Sequence, residues 1–360
     1  VSAEAKVRLA LPGKGALETA TLSFLAESGL KVNRSNPRQY LARIKSMPEV
    51  EVVFQRAADI PLLVQCGDAT LGITGYDILA EHRGYGEVID EDEHSDEDLM
   101  VLERNLGYGA CRLVVAVPET WIDVSNCADL WHLSGYYLEH KGRGLRIATK
   151  YPILTSEFLR QHNITHCKIF SPHGALEAAP LTDTADLIVD LAETGTTLRE
   201  NRLKLLDDGV VLRSQSCLLA NARQLMQDPQ ALKVTETILE LIEARSQAHN
   251  RALLAAQLRA ESHDAIERIA YDIQQRLKTQ TYQTELRIAT SEIATLANPG
   301  WYTISGVIHV GGLASELLET VALLRSVGAT NMSITPLTYR FADTSASVRI
   351  LQERLKRVVQ

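Results

Sequence analysis

The clearest chemistry in this chain lies between Ala185 and Leu198. The segment reads Ala-Asp-Leu-Ile-Val-Asp-Leu-Ala-Glu-Thr-Gly-Thr-Thr-Leu. An apolar strand feeds a small, hydroxyl-rich turn, and the turn opens a helix. At such a junction backbone N–H groups point outward unpaired, and the helix dipole adds partial positive charge. Thr194, Thr196 and Thr197 add hydroxyl donors, and Gly195 permits close backbone approach or a positive φ. The pattern predicts a phosphate cradle. The same residues would also serve as a plain helix cap, which threonine does well. Asp186 and Asp190 face one side of a strand ~13 Å apart, at ~3.3 Å per residue. Asp190, nearer the turn, is better placed to accept hydrogen bonds from sugar hydroxyls beside a phosphate.

Other candidates stand at strand ends. Lys14 follows the first strand within Pro12-Gly13-Lys14-Gly15. It is either a point charge for a polyphosphate or an exposed turn lysine. Arg34 and Arg56 also follow apparent strands, and each could reach a pyrophosphate with a bidentate fork. Taken alone, they read as solvated arginines. Gly72 to Asp77, with Gly75 at its turn, is a further strand-to-turn junction. In Gly107-Tyr108-Gly109-Ala110-Cys111-Arg112, Tyr108 could stack on a base and Arg112 could pair with phosphate. Cys111 has no evident acid or histidine partner, so a packed, inert thiol is expected. Glu177 could approach the phosphate loop after the intervening crossover. None of the ten histidines has zinc-site spacing, and no metal ligand is assigned.

The elements that must position these residues alternate. Strands are expected at Val7–Leu11, Val50–Phe54, Thr70–Thr74, Leu113–Val117, Arg146–Ala148, Lys168–Phe170 and Leu187–Val189. Helical patterns at Leu17–Ser28 and Ala57–Cys66 fall between them, which implies βαβ units and a mostly parallel sheet. Asp90 to Asp98 reads as a solvated acidic loop, and Trp121 to Gly144 as a surface excursion. From Asp228 to about Lys278 the pattern is helical, with Ile238, Leu239, Leu241, Ile242 and Ala244 on the apolar positions. After Pro299-Gly300 the tail has its own logic: strand Tyr302–Val310, helix Ala314–Val327, strand Met332–Leu337.

A chain of 360 residues exceeds a single core, so two or three domains are expected. The net charge of −8 argues against nucleic acid as the main partner, but leaves room for a local basic pocket. Five widely spaced cysteines make no disulfide framework, which favours a reducing compartment. No apolar run would span a bilayer, and the N-terminus shows no signal-peptide core. A cytoplasmic location is expected, or a plastid if the chain is a processed precursor.

Several of these motifs together resemble one family. Leu11–Gly15, Gly72–Gly75, Gly109–Arg112, Ala148–Pro152, Gly174–Pro180 and Asp190–Thr197 occur in the order found in ATP phosphoribosyltransferases. The resemblance is strong from Val7 to Cys217. It continues more loosely to Arg325–Phe341, which looks like the regulatory domain of the long, plant-like form. It implies a catalytic core like a type II periplasmic binding protein, two α/β lobes with a cleft, plus a small ferredoxin-like α+β C-terminal domain. The expected organisation is lobe I over 1–104, completed by about 198–222. Lobe II covers 105–197, a helical connector 223–280 and the regulatory domain 281–360.

The resemblance also implies Mg²⁺, a homo-oligomer (a hexamer) and feedback inhibition by L-histidine. Carried over by motif, Asp190, Glu193, Thr194, Gly195, Thr196, Thr197 and Glu177 bind phosphoribosyl pyrophosphate. Lys14, Gly15, Arg34, Arg56, Gly75, Tyr108, Cys111 and Tyr151 line the ATP side, with Lys14 and Arg56 catalytic. Two departures stand out. The stretch from about Asn250 to Lys278 differs from the commoner bacterial long form. Val189-Asp190 also lacks the adjacent acidic pair of the commonest phosphoribosyltransferase class.

The implied reaction has N1 of ATP displace pyrophosphate from the anomeric carbon, through an oxocarbenium-like transition state. The protein then needs electrostatic and positional catalysis rather than a nucleophile. The competing readings are a two-lobed ligand-binding or regulatory protein without catalysis, and a phosphoribosyltransferase that uses another base.

Overall fold

The computed structural model describes residues 7–36, 38–84, 98–172, 175–279, 285–287, 300–310 and 314–358. Most of the acidic stretch 90–98, Gly174 of the Gly174–Pro180 motif, and Pro299 lie outside them.

Lobe I starts with β1 (Val7–Pro12), α1 (Gly15–Glu27), β2 (Val32–Asn33), β3 (Leu41–Ile44) and β4 (Met47–Gln55). A 3₁₀ turn, Ala57–Asp59, leads into α2 (Ile60–Gln65). Then come β5 (Leu71–Gly75), α3 (Tyr76–Arg83) and β6 (Met100–Glu103). β1 is parallel to β4 and β5, and is fully buried at Leu9, Ala10 and Leu11. An unbroken apolar run is what a strand covered on both faces requires. Gly72 is needed on β5, because a Cβ there would stand 2.6 Å from Ile60 Cγ2 on α2.

Lobe II contains β7 (Cys111–Pro118), α4 (Cys127–Lys141), β8 (Leu145–Thr149), α5 (Pro152–Gln161) and β9 (Cys167–Phe170). After a 3₁₀ turn at Leu176–Ala178 follow β10 (Leu187–Ala192), α6 (Thr196–Glu200) and β11 (Leu203–Ser214). The sheet order is β11-β7-β10-β8-β9, with β7 antiparallel to β10 and β11. Its two faces are covered differently. Leu113, Val115, Ile147, Leu187 and Val189 pack with α4 and α5 residues such as Leu130 and Phe158. Val114, Ala116, Ala148, Ile188 and Ala192 pack with Leu176 and Leu198 on the other face.

The surface excursion expected at Trp121–Gly144 is corrected here. Asn126 and Asp129 form a capping box that starts α4, and Cys127, Leu130, Ser134 and Tyr137 are buried. Polar residues between these positions concealed the helical stripe. The expected edge of lobe II at residue 197 also moves. β11 pairs with β7 from Leu203↔Pro118 to Ser214↔Cys111, so the chain leaves lobe II only at Gln215. Register shifts between Leu205 and Leu212 broke the alternation that would have marked this strand.

β12 (Ser216–Ala220) then returns to lobe I, antiparallel between β5 and β6. The completed sheet runs β2-β3-β4-β1-β5-β12-β6. This is the two-lobed core of the type II periplasmic-binding kind, with lobe I finished by returning chain. α7 (Ala222–Gln227) and α8 (Pro229–Ala248) follow.

The remaining chain forms a second compact unit over Glu240–Ser345. It comprises the end of α8, β13 (Arg251–Arg259), α9 (His263–Thr279), β14 (Glu285–Arg287), β15 (Trp301–His309), α10 (Ala314–Ser326) and β16 (Thr330–Pro336). The β-α-β-β-α-β order and sheet order β14-β15-β13-β16 make it ferredoxin-like. Two expectations are corrected. The region 223–280 is not a helical connector, because β13 lies within it and pairs with both β15 and β16. Its Ala-Leu-Leu-Ala-Ala-Gln-Leu run suits helix and strand alike, and tertiary pairing decides between them. This second unit, expected over 281–360, also does not reach the C-terminus. The last helix, α11 (Ala346–Val358), belongs to the first unit, where Arg354 Nη1 donates to the Val101 carbonyl at 2.6 Å.

Candidate active site

The sheet of lobe II builds the loop that the sequence marks as a candidate phosphate cradle. Asp190 lies on β10 in register with Val114 of β7, on the face that carries Ile188 and Ala192. β10 ends at Ala192, and the chain turns through Glu193, Thr194 and Gly195 into α6. Gly195 has φ 74°, which favours glycine. Glu177, Asp190, Leu191, Ala192, Glu193, Thr194, Gly195, Thr196, Thr197 and Leu198 line a polar cavity of about 270 Å³. The Thr194 and Thr196 hydroxyls are 3.0 Å apart, and Arg199 Nη2 lies 3.4 Å from Thr196 Oγ1. Hydroxyls and first-turn amides thus line the cavity where an anion would sit, with Arg199 buttressing Thr196 from outside the lining.

Asp190 is held for acceptor work. Its Oδ1 accepts the Leu191 N–H at 2.8 Å. Burial, together with the negative charge of Glu177, raises its carboxyl above the usual carboxylate range. The Leu191 N–H and the Lys150 charge offset part of that rise. Lys150 belongs to the Ala148–Pro152 motif but carries no assigned role at the sequence level. It stands immediately after β8, the same strand-end position that drew attention to Lys14.

Asp186, the other half of the acidic pair, does different work. Arg143 clasps it with Nη1 at 2.5 Å and Nη2 at 2.9 Å, and the Arg146 backbone N–H donates at 2.7 Å. Burial would raise this carboxyl, yet the hydrogen bonds from Arg143 and Arg146 outweigh it and hold the group well below the usual carboxylate range. Asp186 locks β8 to β10.

In lobe I, Lys14 and Arg56 follow the adjacent strands β1 and β4, and both are exposed. The strands stay in register to the end, Pro12 opposite Gln55, and Gly13 N–H donates to the Gln55 carbonyl at 2.8 Å. The two cations therefore stand on one strand-end ledge. Gly15 begins α1 with φ 81°. Arg34 does not join them as a mobile cation. Its Nη1 pairs with Glu18 at 2.5 Å, its Nε donates to the Gln39 carbonyl, and its guanidinium lies 3.9 Å over the Phe54 ring. Tyr108 is likewise engaged. Its hydroxyl donates to Thr21 Oγ1 at 2.9 Å, its ring packs tilted against Phe24 at 4.9 Å, and burial pushes its pKa up to about 12.

The lobes meet through strand ends. Tyr151 follows β8 and Asp77 follows β5, and the Tyr151 hydroxyl donates to Asp77 Oδ2 at 2.5 Å. Ser214 at the end of β11 donates to Asp77 Oδ1 at 2.6 Å and accepts the Asp77 N–H at 2.8 Å. The carboxyl ends of both sheets thus face one another, which is where open α/β sheets bind ligands. Gly75 must be glycine there, since a Cβ would fall 2.4 Å from Asp77 Oδ1. Burial pushes the Cys111 thiol up to about 11, helped by the charges of Asp77 and Glu193. Burial and Asp77 also raise the Tyr151 phenol, with a smaller push from Asp190. The phosphate loop, Tyr151, Cys111 and Asp77 therefore share one electrostatic neighbourhood. Cys111 is a neutral packed thiol; Asp77 ends the Gly72–Asp77 junction noted in the sequence, whereas no local motif announced Ser214.

Fold and site define a two-lobed α/β protein with a loop shaped for a phosphorylated ligand. The sequence model described as HisG, ATP phosphoribosyltransferase, matches residues 56–244. "ATP phosphoribosyltransferase 2, chloroplastic" of Arabidopsis thaliana is 35% identical over 339 residues, covering 94% of this chain and 78% of its own length. The ATP phosphoribosyltransferase of Brucella anthropi is 42% identical over 219 residues, covering 60% of this chain and 90% of its own. A solved ATP phosphoribosyl transferase (HisG:HisZ) complex from Thermotoga maritima has TM-score 0.47 and 26% identity, covering 66% of this chain and 98% of that one. The chain belongs to the ATP phosphoribosyltransferase family. That assignment, which rests on the sequence matches, does not favour the reading as a binding protein without catalysis.

Proposed function

We propose a division of labour for the reaction of this enzyme, the transfer of a phosphoribosyl group from phosphoribosyl pyrophosphate to N1 of ATP in histidine biosynthesis. The Glu193–Thr197 loop holds the ribose 5-phosphate, and Asp190 accepts hydrogen bonds from the ribose hydroxyls. Lys14 and Arg56, on the facing strand-end ledge, neutralise the departing pyrophosphate and the triphosphate of ATP. Gly15 and Gly75 let backbone approach the nucleotide, with Tyr151 and Cys111 forming the apolar wall. The observation that carries this reading is the cavity of Glu177 and Asp190–Leu198 at the carboxyl end of β10. No side chain needs to act as a nucleophile. Positioning and charge stabilisation suffice for a displacement with an oxocarbenium-like transition state.

Glu177, Asp190 and Glu193 line the cavity without forming a ready three-carboxylate site, so Mg²⁺, which binds through one or two carboxylates together with phosphate oxygens, would be held mainly by the substrate's phosphates with one of these carboxylates. Burial raises the Asp190 carboxyl, and a cation here would offset the smaller contribution from the Glu177 charge. When bound, Mg²⁺ would supply neutralisation of the leaving pyrophosphate. The ferredoxin-like unit is the proposed seat of L-histidine inhibition, and the working state is a homo-oligomer, a hexamer. Five free cysteines fit a reducing compartment, a plastid or the cytoplasm, and among the described residues no helix is long and apolar enough to cross a membrane.

The test is pyrophosphate release with ATP, phosphoribosyl pyrophosphate and Mg²⁺, with and without L-histidine. Release is expected to require both substrates and to fall when histidine is added. Arg56→Ala should lower kcat by about 10²-fold, the scale of a lost oxyanion-type donor, with a smaller effect on ATP binding. Unchanged turnover of Arg56→Ala at saturating substrates would remove Arg56 from this role.

A further inference from the structure

A second constellation lies on the other face of the lobe II sheet. Cys127 opens α4, His162 caps the end of α5, and Asp208 sits in the irregular middle of β11. One ligand atom from each lies within 4.8 Å of the other two. Leu206, Leu212, Leu130 and Phe158 pack around this face, the one opposite to Ile188, Ala192 and the phosphate loop. The cluster is therefore separate from the substrate cavity, and nothing in the transfer chemistry uses it.

His162 and Asp208 are oriented by their surroundings, while the Cys127 thiol at rest is protonated and donates to the Asp208 carbonyl at 3.8 Å. The His162 Nδ1 is 2.9 Å from the Phe158 carbonyl, which can only accept, so Nδ1 carries the hydrogen and Nε2 keeps its lone pair. A second hydrogen bond of this kind is the usual support of a metal-bound imidazole. The ring is further fixed against Phe158 at 4.3 Å. Asp208 Oδ1 accepts the Cys127 backbone N–H at 2.8 Å, which ties the carboxylate to the residue that bears the thiol. Cys127 is buried, His162 half-buried and Asp208 exposed, so an ion could enter from the Asp208 side.

We propose that Cys127, His162 and Asp208 bind one zinc-class divalent cation, with solvent in the fourth position. A sulfur, nitrogen and oxygen set selects a borderline-soft cation over Mg²⁺, whose chemistry calls for oxygen ligands. Bond lengths of about 2.0–2.3 Å would bring the ligand atoms to roughly 3.3–3.6 Å from one another. Asp208 is the exposed member of the three, so its side chain is the freest to adjust to these lengths. Binding breaks the Cys127 S–H bond, forms a sulfur–metal bond and releases the proton to solvent, with no change of oxidation state. The bound ion clasps the start of α4, the end of α5 and the bulge of β11.

The test uses the full chain, stripped with a chelator and titrated with Co²⁺ and then Zn²⁺. The expected result is one Co²⁺ per chain with a thiolate-to-cobalt charge-transfer band, displaced by Zn²⁺, and an increase in Tm with either ion. Cys127→Ser should abolish the band. Asp208→Asn, at an exposed position that folding tolerates, should weaken Co²⁺ affinity at least about tenfold while leaving Mg²⁺-dependent turnover unchanged. The proposal is overturned if no charge-transfer band appears at several-fold excess Co²⁺. It is also overturned if the band survives in Cys127→Ser, where another thiol must be responsible, or if Asp208→Asn binds as tightly as the parent chain.

Discussion

At the scale of the residue, environment gives Asp186 and Asp190 opposite tasks. Two hydrogen-bonding arginines keep Asp186 ionised, whereas burial beside Glu177 makes Asp190 easier to protonate. As pH falls, Asp190 therefore loses its charge at a higher pH than an ordinary carboxylate. The acceptor for ribose hydroxyls disappears as pH drops through that raised value and returns above it. We expect kcat/KM for phosphoribosyl pyrophosphate to show an acidic limb displaced upward from the usual carboxylate range. In Asp190→Asn the same limb should be lost and KM for this substrate raised. A limb that stays in place in that variant would assign the titration to another group.

At the scale of the element, strand ends do most of the positioning. Lys14, Arg56, Tyr151 and the Glu193–Thr197 loop follow strands and Gly75 ends one, and pairing with strands remote in sequence holds those strands in register. Glu81 of α3 reaches across to accept the N–H groups of Ile153 and Leu154 at 2.8 and 2.9 Å, which satisfies the start of α5. Asp186 plays the corresponding part between β8 and β10. Asp186→Ala leaves Arg143 and Arg146 without their shared acceptor. We expect a cost of about 3 kcal/mol, the low end for breaking a buried pair, because both arginines are partly exposed. The folded-state pKa of Asp186 is depressed, so its contribution is complete above the unfolded pKa of about 3.9 and is lost as pH falls below it. Urea denaturation of both proteins should give a constant gap between pH 5 and 8 that narrows below about pH 4. A gap that instead widens in acid would contradict the assignment.

At the scale of the whole molecule, the first unit is two sheets joined by two crossing segments. One runs from Glu103 to Cys111, and the other is Gln215. They pair with each other: Leu106 N–H donates to the Ser216 carbonyl at 3.0 Å, and Ser216 N–H to the Tyr108 carbonyl at 3.0 Å. Gly109 sits at this crossing with φ 70°, and a Cβ there would lie 2.7 Å from Ser216 Oγ. Gly109→Ala should cost about 1–2 kcal/mol from the left-handed backbone alone, plus a steric part. Adding Ser216→Ala should recover the steric part and leave the backbone part, as read from denaturation midpoints. Parent-like stability of Gly109→Ala would show that the crossing relaxes freely.

Much of this protein was legible locally. Strand β10, the Thr-Gly-Thr-Thr loop and Lys14 after β1 are short-range patterns, in which apolar runs, a positive-φ glycine and a strand-end cation each have a physical signature. The motif order was enough to indicate the family. Other features depend on partners remote in sequence. The Ala-Leu-rich run 251–259 reads as helix until β15 and β16 pair with it. β11 hides behind its own bulge until β7 aligns it. Arg34 alone reads as a solvated arginine and is placed on the ATP side only by the family resemblance, whereas Glu18 and Phe54 hold it in the fold. Asp77 meets Tyr151 across 74 residues, and Cys127 meets Asp208 across 81. Local sequence determined which residues could do chemistry and where strands end. Only the tertiary structure decided which charges share a neighbourhood, because burial and proximity set their pKa values and partners, and neither is a property of spacing along the chain.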